Sequence, residues 1–282
     1  MSAAEQRVAR VFQMHREEVL FASAAALAAK AETSDATVVR TTRSLGFSGM
    51  DELRRALAAE MKEHLSPAGR VAATLRSVGG DLQAAFESTL DLNQDSLERL
   101  RHDIPAESFR MAVELLVGAK RVVIFGIGPS SAMASYFATQ LRRFGLTAGT
   151  LTQTGLGSAD DLQTLRSGDQ LVILAYSRVY RELQILLNEA DRLDLRKLLL
   201  TDSLGGALRG QVDLALPVAR GRADMFSMHT ATLCLIEALL VGVAVQRPEE
   251  ALQSLQTLDS LRREVAGDEA MNLLAKRDGS GR

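Results

Sequence analysis

The sequence predicts two domains in series, an all-α domain followed by an α/β domain built on a parallel sheet. Three observations carry this. At 282 residues the chain suits two domains of roughly 150 residues each. From residue 3 to about 76 the apolar residues recur only at helical spacing. From residue 118 onward, short apolar runs alternate with amphipathic helical patterns, which is how a parallel sheet covered on both faces is written in sequence.

Composition narrows the function classes. Hydrophobic residues at 46% are ample for packed cores, and 24% charged is ordinary. Aromatics at 4%, with no Trp, argue against a surface that stacks bases or sugars. The net charge of −2 does not advertise a nucleic-acid binder as a whole, so any basic patch has to be confined to one domain. Cys234 is the sole cysteine, which excludes an intrachain disulfide framework and a Cys-rich zinc site. The N-terminus is charged early, at Glu5, Arg7 and Arg10, and has no apolar secretion core. The longest apolar run, residues 231–245, is interrupted by Glu237 and is too short for a bilayer. The expectation is a cytoplasmic protein with no membrane partner.

The elements follow in order. Val8, Val11 and Phe12 share one face of a first helix, and Leu20, Phe21, Ala25, Leu27 and Ala28 form a second. The chain breaks at Glu32-Thr33-Ser34. Ser34 suits an N-cap for a helix over 35–45, with Asp35 in its first turn and Gly46 as its stop. Leu53, Leu57 and Met61 lie at helical spacing over 50–64, and Ser66-Pro67-Ala68-Gly69 reads as the end of this unit. Residues 81–102 form an amphipathic connecting helix, and Pro105 starts another over 107–116. Five strands are predicted at 122–125, 147–151, 170–175, 197–200 and 212–217, with helices at 131–144, 160–165 and 180–193 and a turn-helix at 204–208. An apolar helix over 230–245 closes the unit before Pro248, a polar helix follows over 249–265, and the last seven residues read as a disordered tail.

The stretch Arg121–Ser131 organises the second half. A run rich in β-branched residues stops at Gly126, a short loop carries Gly128, Ser130 and Ser131, and a helix begins. Backbone N–H groups and the positive end of the helix dipole then point into the turn, which favours a phosphate or carboxylate. In the first half, two short helices around a tight break fit a helix-turn-helix, with Ala28 and Val38 at the packing positions. Thr37 and Arg40 are the candidates for base contacts, with Ser34 and Arg43 on the DNA backbone. A structural hairpin with solvated arginines fits the same pattern, and Glu32 stands where a turn glycine is usual.

A family resemblance separates these readings. The strings Glu17-Glu18-Val19-Leu20-Phe21, Ser34-Asp35-Ala36-Thr37-Val38-Val39-Arg40 and Ser44-Leu45-Gly46-Phe47-Ser48-Gly49-Met50, with Glu52-Leu53-Arg54, closely resemble the N-terminal domain of RpiR-family transcriptional regulators. The resemblance implies binding to double-stranded operator DNA, as a dimer. The family's second half is a sugar isomerase (SIS) domain, and residues 105–248 resemble one through Gly126-Ile127-Gly128-Pro129-Ser130-Ser131, the stretch Ala175–Glu182, Thr201-Asp202 and the strand containing Asp213. The implied organisation is an all-α helix-turn-helix domain (1–77), a connecting helix (78–104), an α/β SIS domain with a five-stranded parallel sheet (105–248), and a C-terminal helix and tail (249–282).

One departure bears on the ligand. The family's phosphate loop, S-x-S/T-G-x-T, here has Ala175 at its first hydroxyl position, Arg178 for the glycine and Tyr180 for the threonine, while Ser177 remains. The expected ligand residues are Gly126, Gly128, Ser130, Ser131, Ser177, Arg178 and Tyr180. Either Arg178 compensates by pairing bidentately with a carboxylate or phosphate, or it points to solvent and the phosphate site is degenerate.

Rival functions are weaker on the residues. An isomerase needs a general acid and base, for which Glu182 and His229 are the candidates. Glu182 opens a helix, where a carboxylate is favoured anyway, and His229 suits a capping or interface role. A nicotinamide enzyme is disfavoured because Ser131 replaces the third glycine and Thr152-Gln153-Thr154 stands where the ribose carboxylate belongs. A DNA-binding protein whose second domain only dimerises needs no ligand at all. The expected function is a transcriptional regulator with no enzymatic activity and no cofactor. It senses a small anionic metabolite, a sugar phosphate or sugar acid, and acts as a homodimer or homotetramer.

Overall fold

A computed structural model describes residues 2–15, 18–19, 22–54, 57, 66–222 and 225–275. The chain divides into two compact units, Met1–Ala85 with Arg222–Ser227, and Phe86–Gly221 with Met228–Arg282.

In the first unit, helix α1 spans Ala3–Met14. Its start is fixed by a capping box: the Glu5 N–H donates to the Ser2 hydroxyl and the Ser2 N–H to the Glu5 carboxylate. Helix α2 is Ala24–Lys30, capped by Ser23, and α3 is Asp35–Ser44. Val8, Phe12, Leu27, Ala28, Val38 and Leu53 form the centre of the core. Ala25, named as part of the second helical element, is exposed, since the seven-residue α2 buries only Leu27 and Ala28. The expectations for Leu20, Phe21, Met61 and the last seven residues lie outside the described residues.

The break between α2 and α3 holds Glu32 at φ 49°, in the left-handed region that favours glycine. Arg7 of α1 braces it by donating from Nε to the Ala31 carbonyl and from Nη2 to the Glu32 carbonyl, both at 3.0 Å. The tight turn is therefore made by a tertiary clamp where a glycine is absent. Glu32→Gly relieves the backbone strain and keeps both carbonyl acceptors, but its unfolded chain is more flexible. The expected net effect is a stabilisation of about 0.5–1 kcal/mol, read as a higher thermal unfolding midpoint of the first unit.

Ser66-Pro67-Ala68-Gly69 corrects a second expectation. It begins helix α4, Pro67–Val78, rather than ending the unit. The Ser66 hydroxyl accepts from the Gly69 N–H at 2.9 Å, and Pro67 takes the first-turn position where its missing N–H costs nothing. Gly79, left-handed at φ 64°, ends α4. The connecting helix α5 spans Leu82–Asp103.

In the second unit, α6 is Ala106–Val117, β1 Arg121–Phe125, α7 Ser130–Arg143, β2 Ala148–Leu151, α8 Gly157–Gln163, β3 Asp169–Leu174, α9 Arg181–Arg192, β4 Arg196–Thr201 and β5 Leu214–Pro217. Helix α10 is Thr230–Gln246 and α11 is Pro248–Ala275, the latter longer than the 249–265 expected. The five strands are all parallel in the order β2-β1-β3-β4-β5. Side chains alternate between two cores. Val122 and Ile124 meet Phe137, Leu235 and Leu239 on one face, and Val123 and Phe125 meet Leu183, Leu186 and Leu187 on the other. Two covered faces explain why the strands read as unbroken apolar runs. Gly242 lets α10 close on α6, because a Cβ there would lie 2.6 Å from Val113 Cγ2.

After β1 the chain turns outward to β2, then crosses back to pair β3 on the other side of β1. The loops after β1 and β3 therefore leave neighbouring strand ends in opposite directions. This is the place where open α/β sheets hold ligands. No single helix among the described residues is long and apolar enough to cross a membrane. Helices α10 and α11 pass that test only as a pair bent by 108°.

Candidate functional site

The first loop is shaped by glycine sterics. Gly126 lies so close to the next turn that a Cβ would sit 2.6 Å from the Ser130 carbonyl oxygen and 3.3 Å from the Ala134 Cβ. Its N–H donates to the Leu151 carbonyl at 3.2 Å, tying the loop to β2. Gly128 is left-handed at φ 59°. Ser130 is buried at the first position of the 14-residue α7. Ser131 turns back on its own loop, donating to the Gly128 carbonyl from its N–H at 3.0 Å and from its hydroxyl at 2.7 Å. Beyond Ser131, the N–H groups at the start of α7 stand at a helix N-terminus, where an anion is favoured.

The loop after β3 stands beside it, since β1 and β3 are paired to Phe125↔Ile173. Ser177, Arg178 and Tyr180 are all exposed. The Arg178 guanidinium has no hydrogen-bond or ion-pair partner among the described residues, and Tyr180 precedes α9 without capping it. The fold thus brings all seven expected ligand residues to two neighbouring strand ends. Ser131 is the one whose hydroxyl is committed to the loop itself. Of the other matched pieces, Asp213 sits at the opposite end of the sheet, where its carboxylate accepts from the Lys197 N–H and pairs with Arg196.

Sequence reasoning missed a polar cluster immediately behind the second loop. Tyr176 is buried, and its hydroxyl shares a 3.0 Å hydrogen bond with the Thr232 hydroxyl at the start of α10. The Tyr176 carbonyl accepts from the Thr201 hydroxyl at 3.3 Å and from the Ser203 hydroxyl at 3.1 Å. Arg220 lies over the Tyr176 ring, 4.0 Å from its centre, and pairs with Asp202 at 2.9 Å. His229 meets the same ring edge-on at 5.4 Å. Burial pushes the Tyr176 phenol up to about 12, so it stays protonated. Burial, and then the Arg220 charge, lower the His229 imidazole from its ordinary value. The one available signal was a tyrosine beside Ser177 in a chain with three; no spacing links it to Arg220.

The two candidate general acids or bases lie in different surroundings. Glu182 accepts from the Gly155 N–H at 3.2 Å. Its own backbone N–H and that of Gly155 hold its carboxyl below the usual range. His229 takes the N-cap position of α10 without a capping bond from its side chain, so of the capping or interface role expected for it the side-chain cap is not formed. A recess of about 450 Å³ opens beside the ends of β4 and β5, lined by Thr201, Asp202, Arg209 and Pro217 among others, and by none of the expected ligand residues.

In the first unit, α3 presents Asp35, Ala36, Arg40 and Arg43 outward. Thr37 corrects the expectation of an exposed base reader. It is 6% exposed, because it lies one helical turn before the buried Thr41 and beside the core residue Val38. Its hydroxyl bonds the Ser34 hydroxyl at 3.0 Å and accepts from Arg40 Nη2 at 3.2 Å. Ser34 holds the N-cap position, but its side chain accepts no backbone N–H. Thr37 therefore positions Arg40 rather than standing beside it on the surface.

Comparison with known proteins agrees with both units. A family model described as "Helix-turn-helix domain, rpiR family" matches residues 1–64, and one described as "SIS domain" matches residues 115–242. The HTH-type transcriptional regulator HexR of Escherichia coli is 24% identical over 96% of this chain and 93% of its own length. The Bifunctional protein glk of Paraburkholderia xenovorans is 28% identical over 97% of this chain, but the chain spans only 42% of that protein. Among solved structures, the sugar isomerase domain of an RpiR transcription factor from Sphaerobacter thermophilus aligns at TM-score 0.55 with 25% identity, over 60% of this chain and 94% of that one. The Vibrio vulnificus NanR protein, solved in complex with ManNAc-6P, has the same fold at TM-score 0.59 and 24% identity over 94% of each chain.

The chain therefore joins a helix-turn-helix domain to a SIS domain. Residues 1–64 thus match the rpiR-family helix-turn-helix domain and residues 115–242 the SIS domain, the two-domain organisation that the resemblance implied.

Proposed function

We propose that the SIS unit senses a phosphorylated sugar or sugar acid, and that the helix-turn-helix unit binds operator DNA as part of a homodimer or homotetramer. The supporting observation is the cradle at Gly126–Ser130. Its glycine is required by a 2.6 Å backbone approach, and its buried serine opens a 14-residue helix. Such an N-terminus accepts an anion with no further machinery. On this reading Ser130, Ser177 and Arg178 bind the anion, Gly126 and Gly128 shape the loop, and Tyr180 borders it. Arg40 reads a base, with Ser34 and Arg43 on the DNA backbone. The likeness to the Vibrio vulnificus NanR protein, solved in complex with ManNAc-6P, is in keeping with a phosphorylated ligand. The unit acts as a sensor and not as an isomerase, because Glu182 is occupied in bracing the β2–α8 loop.

Differential scanning of the protein against sugar phosphates and sugar acids tests this, since a ligand of the native state raises the unfolding midpoint. Ser130→Ala is expected to remove that stabilisation while leaving ligand-free DNA binding intact. Equal stabilisation of wild type and variant would move the ligand away from this loop.

A further inference from the structure

We infer that Ala36 and Val39 of α3 recognise thymine by its C5-methyl group, beside the base that Arg40 reads. The inference rests on the reading of α3 as the helix that enters the DNA. It goes beyond that reading by naming the base chemistry that the rest of the helix surface recognises.

Helix α3 turns about 100° per residue, which fixes the order of side chains around it. One side, Thr37, Val38, Thr41 and Thr42, is buried, with Val38 in the core beside Val8, Phe12, Leu27 and Ala28. Across the other side come Asp35, then Val39, then Ala36 and Arg43 along the midline, then Arg40. Ala36 opens the midline in the first turn, and Arg43 closes it in the last. The N-terminal residues of such a helix are the ones that reach base edges. The midline position nearest the bases therefore carries a methyl group, next to the half-buried Val39 one turn on. Asp35, the acidic residue of this surface, stands about 140° around the axis from Arg40.

The chemistry of this strip selects one base. Ala36 and Val39 offer no hydrogen bond, so they discriminate only where the groove itself is apolar. In the major groove the thymine C5-methyl is the apolar group that a base edge displays. Setting it against Ala36 and Val39 removes apolar surface of both partners from water. A base donor or acceptor in the same place would lose its water without a replacement. The small side chain at 36 also permits the close approach, since a longer one would hold the helix away from the groove floor. Arg40 and Arg43 complement the charge of the DNA on either side of the strip. The Arg40 Nη2 donates to the Thr37 hydroxyl at 3.2 Å, which leaves its other N–H groups for a bidentate contact with guanine. Ala36 and Arg40 are about 6 Å apart along the axis, so the thymine lies within about two base pairs of that guanine.

The test uses the 282-residue chain and a duplex that it selects from a random pool. Each thymine of the selected site is replaced singly by deoxyuridine, which removes the methyl group and leaves base pairing unchanged. Wild type is expected to lose about fourfold in affinity at one thymine, the worth of one buried methyl-sized group. That thymine is expected within about two base pairs of the position that Arg40→Ala relaxes. Ala36→Gly is expected to bind the thymine and uracil duplexes alike, while Arg40→Ala keeps the difference between them. Taking the ratio within each protein cancels any general loss of affinity or helix stability. Ala36→Ser, which keeps the Cβ in the helix, is expected to narrow the ratio as well, so a folding defect in one variant does not decide the outcome. Wild-type affinity indifferent to uracil at every thymine, or an Ala36→Gly ratio equal to that of wild type, overturns the inference while leaving DNA binding in place. A chain that selects no duplex overturns the reading of α3, and the inference with it.

Discussion

Gly126→Ala is expected to abolish ligand stabilisation and to cost the SIS unit on the order of 1–3 kcal/mol. The added methyl would meet the Ser130 carbonyl oxygen at 2.6 Å and its carbon at 3.0 Å. Both are backbone atoms at the start of α7, so no flexible side chain can yield. Relief requires moving the helix N-terminus away from β1, which also moves the amides that form the cradle. Chemical denaturation gives the stability term, and a ligand-induced shift of the unfolding midpoint gives the binding term. A variant with wild-type stability would mean that α7 shifts freely, and the account of a rigid cradle would fail. Gly128→Ala is the milder comparison: it meets no atom within 4 Å, and carries only the strain of φ 59°.

Arg40→Ala is expected to weaken specific DNA binding by about 1–3 kcal/mol, roughly 5- to 150-fold, and to relax preference at one base pair. Arg40 is exposed on α3, and its guanidinium is steadied by the Thr37 hydroxyl. An arginine held in this way has less freedom to lose on meeting a guanine edge. Arg43→Ala, as a backbone contact, is expected to weaken all sequences alike and to lower the salt dependence of binding. Fluorescence anisotropy against the cognate site and a scrambled duplex separates the two. A uniform loss for Arg40→Ala would make it a phosphate contact.

Much of this architecture was legible in the sequence, for reasons that differ by region. The five strands were found within one or two residues because both faces of the sheet are buried, which makes each strand an apolar run bounded by turns. The cradle was legible because a strand, two glycines, two hydroxyls and a helix are consecutive in the chain. Thr37 was misplaced because an outward and an inward threonine look alike, and only the packing of α1 and α2 on α3 decides between them. Ser66–Gly69 was misread because the residues that stop one helix also start another, and Pro67 suits both. The Tyr176 cluster was invisible because it is assembled from the ends of β3 and β4, the segment before α10 and the first turn of α10. These groups are close in space and far apart in the chain.

The central claim is that a sugar phosphate or sugar acid bound at the Gly126 loop changes DNA binding by the first unit. Its most direct measurement is DNA affinity of the 282-residue chain, titrated with each sugar phosphate or sugar acid that raises its unfolding midpoint. The account predicts that at least one such ligand shifts the DNA dissociation constant by about fivefold or more, and that Ser130→Ala removes the shift while retaining ligand-free affinity. DNA binding that is indifferent to every ligand that stabilises the protein would contradict it.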